Sequence, residues 1–77
     1  MYLEIVKPDI KIFTGEVKLV QVPGTKGVFT VLKNHAPIIS TLEEGKIRII
    51  KENNKEEYFE IKGGVIEVKN NKIIVLA

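Results

Sequence analysis

Cysteine is absent from the 77 residues, and histidine and serine occur once each, as His35 and Ser40. Without cysteine there is no disulfide and no thiolate metal site, which fits a reducing compartment. His35 and Ser40 lie on one local segment separated by Pro37, so a Ser-His-acid triad has no geometry to build on. One histidine among scattered acids offers no metal-ligand spacing. The adjacent pairs Glu43-Glu44 and Glu56-Glu57 are the remaining acid–base candidates. They fall on a turn and on a hairpin strand, and both read as solvated faces. No catalytic residue, cofactor site or metal site is expected.

Long apolar runs are also missing. The longest, Ile73 to Ala77, is far short of the roughly 20 residues that span a bilayer. Met1-Tyr2-Leu3-Glu4 lacks the basic start and apolar stretch of a secretory signal. Direct membrane insertion is therefore not expected. Twelve basic residues run from Lys7 to Lys72 among ten acids, for a net charge of +2. The aromatics Tyr2, Phe13, Phe29, Tyr58 and Phe59 are scattered, and most are expected in the core. With neither a basic patch nor a stacking platform, nucleic acid is not an expected partner.

What remains is a globular composition, 44% apolar and 29% charged. The length allows one domain, residues 1–77. A chain this short buries only about 60% of its unfolded surface. With no disulfide or metal to staple it, a partner surface is the remaining way to add buried area.

Apolar residues recur at period two rather than 3.6. Leu3 and Ile5 flank Glu4, Ile10 and Ile12 flank Lys11, and Val17 and Leu19 alternate with Glu16 and Lys18. The phase then shifts, because Val20 and Val22 flank Gln21. Adjacent apolar residues at Leu19-Val20 predict a bulge or a change of buried face. Ile47 and Ile49, then Phe59 and Ile61, resume the alternation. Val65-Ile66-Glu67-Val68 and Ile73-Ile74-Val75-Leu76 read as buried strands rich in β-branched residues. Turn signals cut these runs at Lys7-Pro8-Asp9, Pro23 to Gly27, Lys33 to Pro37, Glu43-Glu44-Gly45, Glu52-Asn53-Asn54, Gly63-Gly64 and Asn70-Asn71. About eight to ten short strands result, with no confident helix. Such a pattern folds as a sandwich or flattened barrel around one shared core.

Two loops invite a functional reading. Gly24-Thr25-Lys26-Gly27 sets a lysine between glycines, but a strand follows where a phosphate-cradling loop needs a helix. A plain β-turn is the better account. From Asn34 to Ile39, Pro37 biases Ala36 toward an extended conformation and could hold His35 on a stiff rim. The segment is either a connection into the next strand or an exposed recognition tip. Physics alone favours the connection.

The ordered set of residues then points to a family. Val22-Pro23-Gly24-Thr25-Lys26-Gly27, Phe29, Val31-Leu32 and His35-Ala36-Pro37 resemble the amino-terminal domain of the epsilon subunit of rotary (F-type) ATP synthases. Glu4-Ile5-Val6, Phe13-Thr14-Gly15-Glu16-Val17, Gly45 to Ile49, Gly63 to Val68 and Val75-Leu76-Ala77 extend the likeness over the whole chain. The resemblance implies an all-β, flattened ten-stranded β-sandwich on the central stalk. It implies a non-catalytic subunit that docks on the gamma subunit and the membrane ring and helps couple ion-driven rotation to ATP synthesis. Its place would be peripheral, on the cytoplasmic face of a bacterial plasma membrane. By the same likeness Thr25, Lys26, Gly27 and Val28 lie towards the ring, and Lys7, His35 and Ser40 near gamma. The family usually continues into a helical hairpin that can bind ATP. No such segment follows Ala77, so ATP binding is not expected of these residues. Relatives often carry an acid at the positions of Lys26 or Val28, and Pro-Gly in place of Lys33-Asn34. A basic, apolar tip of this kind expects a less basic ring loop opposite it. A lipoyl- or biotinyl-type carrier domain and a free-standing ligand-binding sandwich are the competing small all-β readings. The first needs a modifiable lysine at a hairpin tip, commonly flanked by methionine or an acid. The second needs a concave apolar pocket.

Overall fold

A computed structural model describes residues 1–77, and every regular element in it is a strand. The eight strands are β1 (Tyr2–Lys7), β2 (Ile10–Gly24), β3 (Gly27–Leu32), β4 (Ile38–Leu42), β5 (Gly45–Lys51), β6 (Glu56–Ile61), β7 (Gly64–Lys69) and β8 (Lys72–Leu76). The all-β class expected from the alternation is what the chain adopts; its eight strands lie within the eight to ten read from the alternation and fall short of the ten that the resemblance implies.

The smaller count has a physical origin in β2. Its 15 residues, laid straight at about 3.3 Å each, would span roughly 50 Å. The Cα trace extends only 27 Å along its longest axis. The strand must therefore bend, and its pairing gives the place. Val17 faces Lys51 and Leu19 faces Ile50, which leaves Lys18 as an extra residue. Such a bulge bends a strand without ending it. Before it, β2 pairs with β1; after it, β2 lies between β3 and β5. One strand thus serves both layers. The bulge sits one residue ahead of the expected Leu19-Val20 position and produces the expected change of face, with Val17, Val20 and Val22 all fully buried.

The layers follow from the remaining pairings. One is β3-β2-β5-β6, using the second half of β2. The other runs from the first half of β2 through β1, β8 and β7 to β4. All neighbours are antiparallel except β1 and β8. The β7–β8 hairpin turns on Asn70 and Asn71, both at positive φ (53° and 58°). That is the conformation a two-residue type I′ turn demands and asparagine tolerates.

Fourteen buried aliphatic residues from both layers form one core, with no buried polar residue. The aromatics stand at its margin: Phe13, Phe29 and Phe59 are only half-buried against it, and Tyr58 is exposed. Most of the aromatics are expected in the core from the sequence; three of the five pack against it half-buried instead, because β-branched Ile and Val already fill the narrow space between the sheets. Phe13 and Phe59 meet at 5.6 Å with planes tilted by 54°, joining the first half of β2 to the edge strand β6.

On the outside of β5–β6, Arg48 Nε donates to Glu56 Oε2 at 2.6 Å. This bond holds the Glu56 carboxyl below its ordinary range and raises Arg48. A carboxylate lowered in the folded state adds stability above its unfolded pKa and loses it as pH falls through the folded value. Glu56→Gln is therefore expected to lower Tm slightly at neutral pH. The gap to the wild type should close as pH drops below the usual carboxylate range. Both groups face solvent, so added salt should shrink it too. Calorimetry across pH checks all three.

Candidate functional site

The best-defined surface feature is the tip between β2 and β3. Gly24 pairs with Gly27 across the two-residue turn Thr25-Lys26. The backbone closes so tightly that a Cβ on Gly24 would lie 2.6 Å from the Gly27 carbonyl oxygen and 2.9 Å from the Phe29 ring. Neighbouring strands brace the turn. The Thr25 and Thr41 hydroxyls are 2.8 Å apart, and Thr25 N–H donates to Thr41 O at 3.1 Å. Glu43 N–H donates to Pro23 O at 2.9 Å. These bonds fix a rigid tip from which Lys26 and Val28 project into solvent, Val28 at 68% exposure. Thr25, Lys26, Gly27 and Val28 are thus one contiguous surface.

Lys7, His35 and Ser40 are not gathered in one place. Lys7 ends β1 beside Gly45, Lys46, Glu60 and Lys62. A Cβ on Gly45 would touch Pro23 at 3.0 Å, which puts Lys7 at the same end of the molecule as the β2–β3 tip. His35 lies at the other end, in the β3–β4 loop. That loop is tied to the β7–β8 turn. Asn34 N–H donates to Asn71 Oδ1 at 2.7 Å, and Asn71 Nδ2 donates to Asn34 Oδ1 at 3.0 Å. His35 Nδ1 donates to the Ala36 carbonyl at 2.7 Å. Ser40 sits mid-strand opposite Ile66, and its hydroxyl donates to Thr41 O at 3.1 Å. Each therefore bonds a backbone carbonyl rather than the other.

A further surface escaped sequence reasoning. On the outer face of β4-β7-β8, Ile39 is 71% exposed, Leu76 55% and Val65 36%, with Ile74 half-buried among them. Glu67 stands in their midst, with Ile39 and Ile74 as its cross-strand neighbours. Val6 continues the face on β1 opposite Leu76. A contiguous apolar face of this kind on a small domain marks an interaction surface. The signal was present: Glu67 marks the solvent side of β7, so Val65, two residues away, shares it. The Asn70-Asn71 turn then sets Leu76 opposite Val65.

The family model described as "ATP synthase, Delta/Epsilon chain, beta-sandwich domain" matches residues 1–77. This chain belongs to that ATP synthase family. Two proteins named ATP synthase epsilon chain are similar over 74 residues. That of Chlorobaculum tepidum is 45% identical and that of Chlorobium limicola 43%, each alignment covering 96% of this chain and 84% of the relative. An epsilon chain is an accessory, non-catalytic subunit of the synthase. The fold recurs in solved assemblies. A chain in the cryo-EM structure of the Euglena gracilis mitochondrial ATP synthase (OSCP/F1/c-ring) superposes with a TM-score of 0.90 at 22% identity. One in the Tetrahymena thermophila mitochondrial ATP synthase central stalk/c-ring structure superposes with 0.81 at 12%. Both superpositions cover 97% of this chain, but it spans only 48% and 60% of those two chains. At such identities the likeness is one of fold.

Proposed function

We propose that this chain is a central-stalk subunit that docks on the gamma subunit and the membrane ring and helps couple ion-driven rotation to ATP synthesis, at the cytoplasmic face of a bacterial plasma membrane. The observation that carries the reading is the family match over all 77 residues. The geometry supports it in two ways. The braced tip of Thr25, Lys26, Gly27 and Val28 offers the ring a rigid contact with a defined charge. The gamma-side residues Lys7 and His35 lie at opposite ends, so a gamma surface that includes both must run the length of the domain. The outer face with Ile39, Val65, Ile74 and Leu76 supplies apolar area along that path; Ser40 is on the same strand as Ile39 but turns to the opposite side of the sheet, opposite Ile66.

The test is co-purification of the tagged full chain with the gamma subunit and ring subunits. Recovery of both is the expected result, and recovery of neither overturns the proposal. Ile39→Ser is expected to cut gamma recovery at least tenfold while leaving Tm nearly unchanged, since Ile39 is mostly in solvent. Lys26→Glu is expected to alter ring recovery and its salt dependence, leaving gamma recovery intact.

A further inference from the structure

Two strands have a single neighbour and therefore an open edge, β6 on β5 and β3 on β2. Open edges invite pairing by another chain, and proteins normally guard them with charge. Along β6 stand Glu56, Glu57 and Glu60. Along β3, Gly-Val-Phe-Thr-Val-Leu, there is no charged residue.

The register shows which β3 groups are free. Pro23 has no N–H, and its carbonyl accepts from Glu43, away from β3. The Pro23–Val28 pair is therefore a non-hydrogen-bonded one, and the Val28 N–H and C=O point outward. Antiparallel pairs alternate, so Thr30 and Leu32 point their groups outward as well. One of these is used within the chain, the Leu32 carbonyl, by His35 N–H at 3.1 Å. The N–H groups of Val28, Thr30 and Leu32 and the carbonyls of Val28 and Thr30 remain. On the outer face the Val28 and Leu32 side chains flank Thr30, at 68% and 52% exposure.

Charge selects the occupant. Lys26 and Lys33 flank β3 at its two ends, both exposed and neither in an ion pair. If a second copy paired antiparallel through β3, Lys26 of each would face Lys33 of the other, and the like charges would oppose it. An extended segment with an acidic residue near each end meets the same lysines favourably. We infer that the β3 edge accepts such a segment, about six residues long, from a partner chain in the assembled synthase, with main-chain bonds giving affinity and the two lysines giving choice. The inference rests on the central-stalk reading and extends the tip, with which it shares Lys26 and Val28, along β3; it is distinct from the outer face of β4-β7-β8.

Hydrogen exchange of the unmodified chain, free and in the assembled synthase, is the test. In the free chain the amides of Val28, Thr30 and Leu32 should exchange rapidly. In the assembly they should slow at least tenfold. Incorporation with these amides still fast overturns this inference alone; failure to incorporate overturns the stalk reading and this inference with it. A free chain that dimerises with the same amides protected overturns the choice of an acidic partner. Thr30→Pro removes an outward N–H and no internal backbone bond; the long Gln21 Nε2 to Thr30 Oγ1 hydrogen bond at 3.4 Å is lost in Thr30→Val as well. It should weaken retention in the assembly about tenfold, whereas Thr30→Val, which keeps the N–H, should not. Equal retention of both variants would sink the main-chain mechanism.

Discussion

Gly64→Ala is expected to lower the stability of this domain by about 3 kcal/mol or more, the upper end of what a single strained backbone position costs. Two effects add at this residue. Its φ is +147°, a region that residues with a Cβ rarely adopt, and a Cβ there would run into the Leu76 carbonyl and lie 3.0 Å from the Ala77 Cα. Neither obstacle is a movable side-chain end. β7 and β8 are paired at that point, Val65 with Leu76, so relief requires opening the hairpin that carries four core residues, Ile66, Val68, Ile73 and Val75. A domain of this length has about 4–11 kcal/mol in all, so the change removes a large share. Gly27→Ala is the internal comparison. Its φ of +130° is also unfavourable, but nothing lies within 4 Å of the added Cβ, so it isolates backbone strain from overlap. Urea unfolding of the two variants should place Gly64→Ala well below Gly27→Ala. Equal losses would show that overlap at Leu76 contributes nothing.

The strands were legible because their side chains alternate between a dry side and a wet one, and because asparagine and glycine mark the turns. Asn70 and Asn71 read as a turn and form one; Leu19-Val20 read as a change of face and lies next to it. Strand count was not legible. A bulge at Lys18 and a chain break between two strands leave the same local pattern, and only pairing with β1 on one side and with β3 and β5 on the other distinguishes them. The candidate surfaces divide the same way. Thr25 to Val28 is one continuous loop, so its members had to be neighbours in space. Lys7, His35 and Ser40 come from separate elements, and their distance apart is set by tertiary pairing, which no local pattern encodes. The outer apolar face was misread because Ile73-Ile74-Val75-Leu76 is continuous in sequence. A continuous run suggests burial on both sides, yet β8 is covered on one side only.

That difference yields the last prediction. Ile73→Ala and Leu76→Ala lie on one five-residue strand and should behave as opposites. Ile73 is fully buried and Leu76 is 55% exposed. Truncating a buried isoleucine to alanine removes about 2–5 kcal/mol, the transfer term plus the cavity left in a core that cannot collapse. That is a large share of a total of about 4–11 kcal/mol, and Ile73→Ala should unfold at markedly lower urea. Leu76→Ala removes a side chain already half in water, so its loss should stay near 0.5 kcal/mol, as for surface positions generally. If the outer face of β4-β7-β8 is the gamma-side contact, the order reverses for assembly at a temperature where both variants fold. Ile73→Ala should incorporate as the wild type does, and Leu76→Ala should be lost from the complex at least tenfold more readily, because an apolar side chain at the centre of an interface loses far more there than in solvent. Paired measurements of unfolding and retention separate the two roles of one strand. A Leu76→Ala chain that assembles normally would remove this face from the docking surface and leave the tip and the β3 edge to carry the contact.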